Sequence, residues 1–318
     1  MISRFVCALM VASIAYVNSA WAEPVTIASA GQGSSTYNFA VAISKAVSEY
    51  AGDVDLRPQP YDSTSQASTF VNGGQVDFGL ENAIAIRQAM LGEGRFKDHK
   101  LSDLRLVARL VPLRMTLAVR ADSGIKSLAD LRGKRLPAGF PQAVTGEALI
   151  TAMLSTGGLG YGDVQSVQVA NFTAMAEAFV DGDLDAFIHV IGTPRDEQVS
   201  RDVNGIRPLQ LGSTNSARSG VKMVLPVADL YLLQPQPGLT TISEATEILQ
   251  YDYFVYTNAG ESEANVMALL NSLYDGKATM VQSVASLNWF QPEDMYLDIG
   301  LPYHPAAEKF YREHGMLQ

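Results

Sequence analysis

The chain uses one phrase twice. Phe70-Val71-Asn72-Gly73-Gly74-Gln75-Val76-Asp77-Phe78-Gly79 returns in the second half as Phe179-Val180-Asp181-Gly182-Asp183-Leu184-Asp185-Ala186-Phe187. Each copy reads as the end of a helix, a Gly in the left-handed cap position that a Cβ resists, and a short strand with an apolar centre. A helix–Gly–strand unit that recurs at this distance predicts two α/β lobes built on one plan, with a cleft between them.

The N-terminal stretch predicts where such a cleft works. Met1 to Arg4 is a short positive start, Phe5 to Val17 is an apolar run broken only by Ser13, and Ala20-Trp21-Ala22 has the A-x-A form. Residues 1–22 therefore read as a cleaved secretory signal peptide, too short in its apolar run to span a bilayer. A periplasmic protein starting at Glu23 is expected. The single cysteine, Cys7, lies inside that run, so no thiol is expected in the exported chain for a disulfide or a metal. With 33 Asp+Glu against 23 Lys+Arg the net charge is −10, and the acids are scattered. Nucleic acid, which needs a basic footprint, is not an expected partner.

Along the rest of the chain, Val25 to Ala28 reads as a first strand and Phe39, Ile43, Ala46 and Tyr50 form one stripe of a following helix. Helices are predicted over Ala83–Leu91, Gly146–Ser155, Phe172–Val180 (capped by Asn171 or Thr173), Glu263–Tyr274 and Ala306–Glu313. Strands are predicted over Leu104–Val111, Met115–Val119, Val164–Ala170 and Met223–Leu225. Such alternation indicates layered α/β structure with largely parallel sheets. The chain is expected to cross between lobes near Val119 and Val224. That makes one lobe of 23–119 with 225–318 and a second of 120–224.

Four loops sit where ligands collect in α/β sheets, after strands and before helix N-termini with free N–H groups and partial positive charge. They are Gly31-Gln32-Gly33-Ser34-Ser35-Thr36, Tyr61 to Gln66, Phe140 to Gly146, and Gly192-Thr193-Pro194. Two per lobe predict a cleft with donors from both sides, able to hold a carboxylate with neutral donors and no buried cation. The third Gly of a dinucleotide fingerprint is missing from the first loop. None of His99, His189, His304 and His314 has a metal-ligand partner at helical spacing, and no nucleophile–base set is visible, so no catalytic residue, metal or cofactor is expected. His189 reads as a satisfied core histidine. Trp289, Phe290 and Tyr251 to Tyr256 read as core, with one or two free to line the cleft.

Two segments carry a family resemblance. Val119-Arg120-Ala121-Asp122-Ser123-Gly124-Ile125-Lys126-Ser127-Leu128-Ala129-Asp130-Leu131-Arg132-Gly133-Lys134 is close to the "RADSGIKSLADLKGK" of TAXI-type substrate-binding proteins, the receptors of a subclass of TRAP transporters. The stretch from Pro302 to Gly315 is similar to that family's terminal "PLHPGAEKYYRE-G". The resemblance implies a type II periplasmic binding protein fold, two lobes closing on a small organic anion such as glutamate or a dicarboxylate. It also implies delivery to the transporter's membrane subunits, by a receptor expected to be a monomer. Beside this stand a receptor that feeds a sensor kinase and an enzyme on the same scaffold.

Carried over by position, the resemblance implies ligand contacts from Ser34, Ser35 and Tyr37, from Ser63, Thr64 and Ser65 (the family's "STGGS" loop), and from Asn82. In the second lobe it implies Phe140, Gln142 and Thr145 (the "GAPGSGTE" loop) with Gly192, Thr193 and Pro194. This chain departs from the family where Tyr61-Asp62-Ser63-Thr64-Ser65 and Gly139-Phe140-Pro141-Gln142-Ala143-Val144-Thr145 replace Gly-rich loops. Phe140 and Gln142 are expected to narrow the pocket, and Asp62 to repel an anion if it faces inward.

Overall fold

The structure, a computed structural model, describes residues 24–317 apart from Gln142, Val144 and the side chain of Ser65. The expected signal peptide and Gln142 thus lie outside the described residues. The first half runs β1 (Val25–Ser29), α1 (Ser35–Tyr50), β2 (Leu56–Pro60), α2 (Thr64–Asn72), β3 (Phe78–Asn82), α3 (Ala83–Leu91) and β4 (Leu104–Arg120). The second half repeats the alternation with β5 (Arg135–Gly139), α4 (Gly146–Ser155), β6 (Gln165–Val169), α5 (Phe172–Asp181), β7 (Phe187–Val190), α6 (Pro194–Asp202), β8 (Ile206–Pro208), α7 (Asn215–Val224) and β9 (Asp229–Leu233). The long β10 (Thr246–Asn258) follows, then α8 (Glu263–Asp275), α9 (Lys277–Ser283) and α10 (Pro305–Glu313). Among the described residues no helix is long and apolar enough to cross a membrane.

Two strands tie the halves together. β4 and β10 pair antiparallel over nearly their whole length, Leu104–Arg109 against Phe254–Asn258 and Pro112–Met115 against Leu249–Asp252. At one end β10 also receives β3, and β3 receives β1 and then β2 in parallel register. At the other end β10 receives β9, while β4 receives β7 and β8. β5 and β6 form a separate parallel pair, linked to the approach to β7 by the Asp185 N–H donating to the Arg135 carbonyl at 2.9 Å. The register slips between Asp252 and Phe254, opposite Pro112, which has no N–H to give the ladder.

Two hydrophobic cores lie on either side of this slip. The first gathers Ile27, Phe39, Phe78, Val111, Phe254 and Phe310; the second gathers Met115, Leu149, Phe179, Phe187, Leu249 and Tyr251. Val119 is buried within the second core and Val224 packs against it, so the cores divide between Val111 and Met115 on β4 and between Tyr251 and Phe254 on β10.

The repeated phrase folds as two equivalent units. In the first, Gly73 keeps an ordinary φ of −83° and Gly74 takes the left-handed turn at φ 70°; in the second, Gly182 takes it at φ 84°. Counted from the left-handed Gly, Asp77 and Asp185 fall at the same place, and each ties its strand to the first strand of its half. Asp77 Oδ2 accepts from the Thr26 N–H and hydroxyl, both at 2.7 Å. Asp185 Oδ2 accepts from the Arg135 N–H at 2.8 Å and Oδ1 from its guanidinium at 2.7 Å.

The sheets are mixed rather than largely parallel, since every pairing of β4 and β10 with another strand is antiparallel, and three local expectations also differ from the structure. Leu104–Val111 and Met115–Val119 form one strand. Met223–Leu225 is not a strand: Thr214 caps a helix by accepting from the Ala217 N–H, Ala217 and Val221 are buried, and Met223 points to solvent at 81% exposure. β9 and β10 were not visible in the sequence pattern, because β10 is buried on both faces and shows no alternation.

Candidate functional site

A cavity of about 340 Å³ opens between the two cores. Its lining comes from Gly33, Ser34, Ser35 and Asn82 on one side, Thr145, Phe172, Val190, Thr193 and Arg195 on the other, and Leu113, Met115, Tyr251 and Tyr253 on the crossing strands. These positions mark the N-termini of five helices. Ser34 caps α1 by accepting from the Tyr37 N–H, Asn82 caps α3 by accepting from Ile84 and Ala85, and Thr193 caps α6 by accepting from Asp196. Thr145 precedes α4, and Phe172 opens α5. α1, α3 and α5 carry no acid in the first turn, and the one acid next to any of their caps is Glu81, one residue before the α3 cap. Convergence of such termini suits a bound anion.

Tyr251 and Tyr253 add phenol groups. Neither hydroxyl has a hydrogen-bond partner among the described residues. Burial, with Glu81 nearby, pushes both pKa values up, so both keep their protons. Glu81 sits at the end of β3. Its Oε1 accepts from the Asn82 N–H at 2.8 Å and the Asn82 side-chain amide at 2.7 Å, while Oε2 is buried without a hydrogen bond. Burial pushes this carboxyl up to about 6, against a smaller lowering pull from the nearby Thr64 and from Asn82.

On the opposite wall is Arg195, in the first turn of α6. Its Nε donates to Asp196 Oδ1 and its Nη1 reaches the Phe172 carbonyl at 3.4 Å. Asp196 is fully buried; Oδ2 accepts from the Val190 N–H and faces His189 Nδ1 at 3.2 Å, while His189 Nε2 lies 2.9 Å from the Thr241 hydroxyl. Burial alone raises the Asp196 pKa, but hydrogen bonds from His189 and Arg195 outweigh it and hold the carboxylate below its ordinary range. His189 is the satisfied core histidine expected.

Of the residues named from the sequence, Ser34, Ser35, Asn82, Thr145 and Thr193 meet around this cavity. Gly192 and Pro194 line an adjoining cavity, shared with Ser35 and Thr193. Tyr37 contributes its N–H to the Ser34 cap and lies outside both linings. Ser63 is the exposed cap of α2, and Thr64 lies beside Glu81; neither lines either cavity. Phe140 does not narrow the cavity. It is fully buried in the second core at φ 48°, with its ring 5.6 Å from Phe172 and filling the place a Cβ on Gly146 would need. Sequence reasoning missed Arg195, and the lining is not neutral as expected. The available signal was an arginine directly after a Thr-Pro helix start, followed by an acid.

The chain belongs to the NMT1-like family, whose model matches residues 27–315. It is similar to the periplasmic aliphatic sulphonate binding protein SsuA from Escherichia coli, at 15% identity and TM-score 0.54, covering 93% of this chain and 88% of that one. It is also similar to a TctC solute binding protein from Polaromonas, at 14% identity and TM-score 0.57, covering 84% and 90%. The fold is that of a two-lobed type II periplasmic binding protein.

Proposed function

We propose that this protein is a periplasmic solute receptor that captures a small organic anion, a carboxylate, in the cleft and hands it to the membrane subunits of a TRAP-type transporter. The observation that carries the reading is the convergence of five helix N-termini and the Arg195 guanidinium on one cavity. Ser34, Ser35, Asn82, Thr145 and Thr193 supply the surrounding donors and dipoles. The likeness to SsuA and TctC supports a binding role, and the TAXI resemblance supports the transporter class. Closure requires contacts that exist only when both walls meet the ligand, and the register slip near Pro112 and Asp252 supports a bend at that point.

A thermal-shift screen of the purified protein against carboxylates, sulfonates, amino acids and neutral controls tests this. A ligand that binds only the folded state raises the melting temperature by mass action. Selective shifts with organic anions, together with compaction in small-angle scattering, are expected. Shifts with neutral compounds alone overturn the anion reading.

A further inference from the structure

The anion cavity has a second compartment of different chemistry. A space of about 200 Å³ adjoins it and shares Ser35, Leu113, Val190, Thr193 and Tyr253 with it. Its further walls are hydrocarbon: Phe39, Val111, Pro112, Ile191, Val284 and the Trp289 indole. At roughly 30 Å³ per water-sized group, it holds about seven such groups, the bulk of a short chain or one ring. Asn38, Ser286 and Arg114 also border it. The Arg114 guanidinium is held between the Tyr231 and Trp289 rings, 4.6 Å from each, with Nε donating to Gln250 at 2.9 Å. Both Nη atoms of Arg114 lack a hydrogen-bond partner among the described residues, so Arg114 is the competing cation, and a ligand that used it would be a dicarboxylate that binds this protein more tightly than its monocarboxylate counterpart. Among the described residues, Arg195 Nη2 has no partner, while Asp196 and the Phe172 carbonyl fix the rest of its guanidinium.

We infer that the ligand is a monoanionic organic acid with a short apolar tail, its head group taken by Arg195 and its tail by the compartment walled by Trp289. This rests on the reading of the cleft as an anion site. Tail burial predicts an affinity that climbs about four-fold per methylene until the compartment is full.

Calorimetric titration of the purified protein with straight-chain monocarboxylates from acetate to octanoate, alongside succinate and L-glutamate, tests the assignment. The expected result is a rising series that levels off, with butanoate tighter than succinate. Arg195→Gln weakens every acid at least ten-fold and keeps the slope. Trp289→Ala, or the milder Trp289→Phe, flattens the slope, so that octanoate loses many-fold more affinity than acetate. A flat wild-type series, or preference for succinate or glutamate, overturns the tail while the anion receptor stands. If no acid of any length binds, both readings fall together.

Discussion

The two copies of the helix–Gly–strand unit end in different chemistry. Counted from the left-handed Gly74 and Gly182, Glu81 and His189 occupy the same position, both buried and both close to the cleft. Glu81 keeps one oxygen without a hydrogen bond, and burial pushes its carboxyl up to about 6. His189 is satisfied on both nitrogens, and its partner Asp196, equally buried, is held below the ordinary carboxylate range. Burial acts on the two carboxyls in the same direction. The number of donors and the nearby Arg195 decide the outcome.

The largest expected effect breaks the satisfied half. Asp196→Asn removes the charge that Arg195 and His189 are arranged around and turns one acceptor oxygen into a donor facing the Val190 N–H. Losing one partner of a buried pair costs about 3–5 kcal/mol. Urea denaturation at neutral pH measures it. A folded pKa below the unfolded one means that Asp196 contributes stability above the ordinary carboxylate pKa and loses it as pH falls through the folded value. The variant therefore also loses that part of the acid-range slope. A cost no larger than that of a surface change would show that the network does not distinguish the two units.

The opposite sign is expected at Glu81. Its folded pKa is raised, so the unfolded chain ionises first and stability drops as pH rises from about 4.5 to about 6. That gap corresponds to about 2 kcal/mol. Glu81→Gln keeps an oxygen for the two Asn82 donors and carries no charge. It is expected to be up to about 2 kcal/mol more stable than the native protein at pH 7.5 and nearly equal at pH 4. Denaturation at the two pH values separates this from a general packing effect, which would be the same at both.

How legible these regions were follows from the same physics. The repeated units announced themselves because a left-handed Gly after a helix is a local demand on sequence, whereas the Asp ties join residues far apart in the chain. Ala83–Leu91 and Gly146–Ser155 were read to the residue, since each has a clear stop in Gly92 or Gly157. β10 was not legible, because a strand buried on both faces loses its alternation. Nor was the division between cores, which falls inside two continuous strands with no linker to mark it. Ser34, Ser35, Asn82, Thr145 and Thr193, which line the cavity, were named from loops before helices and from the family resemblance. Phe140 was misplaced because its positive φ turns the ring toward Gly146, which no spacing rule reveals. Arg195 looks like any first-turn surface charge until the fold buries Asp196 beneath it.

The smallest expected effects test whether the two units share one backbone plan. Gly74 and Gly182 are left-handed, and a Cβ on either would meet nothing within 4 Å, so substitution is penalised by backbone conformation alone. Gly74→Ala and Gly182→Ala should each cost about 1–2 kcal/mol. Gly73 differs: its φ of −83° suits any residue, and the three atoms nearest to a Cβ there all belong to the end of the flexible Gln75 side chain. Gly73→Ala should cost less than either, with Gln75 moving aside. Melting curves of the three variants decide it. Equal losses at Gly73 and Gly74 would mean that the first unit turns differently from the second, and the equivalence of Glu81 with His189 would lose its frame.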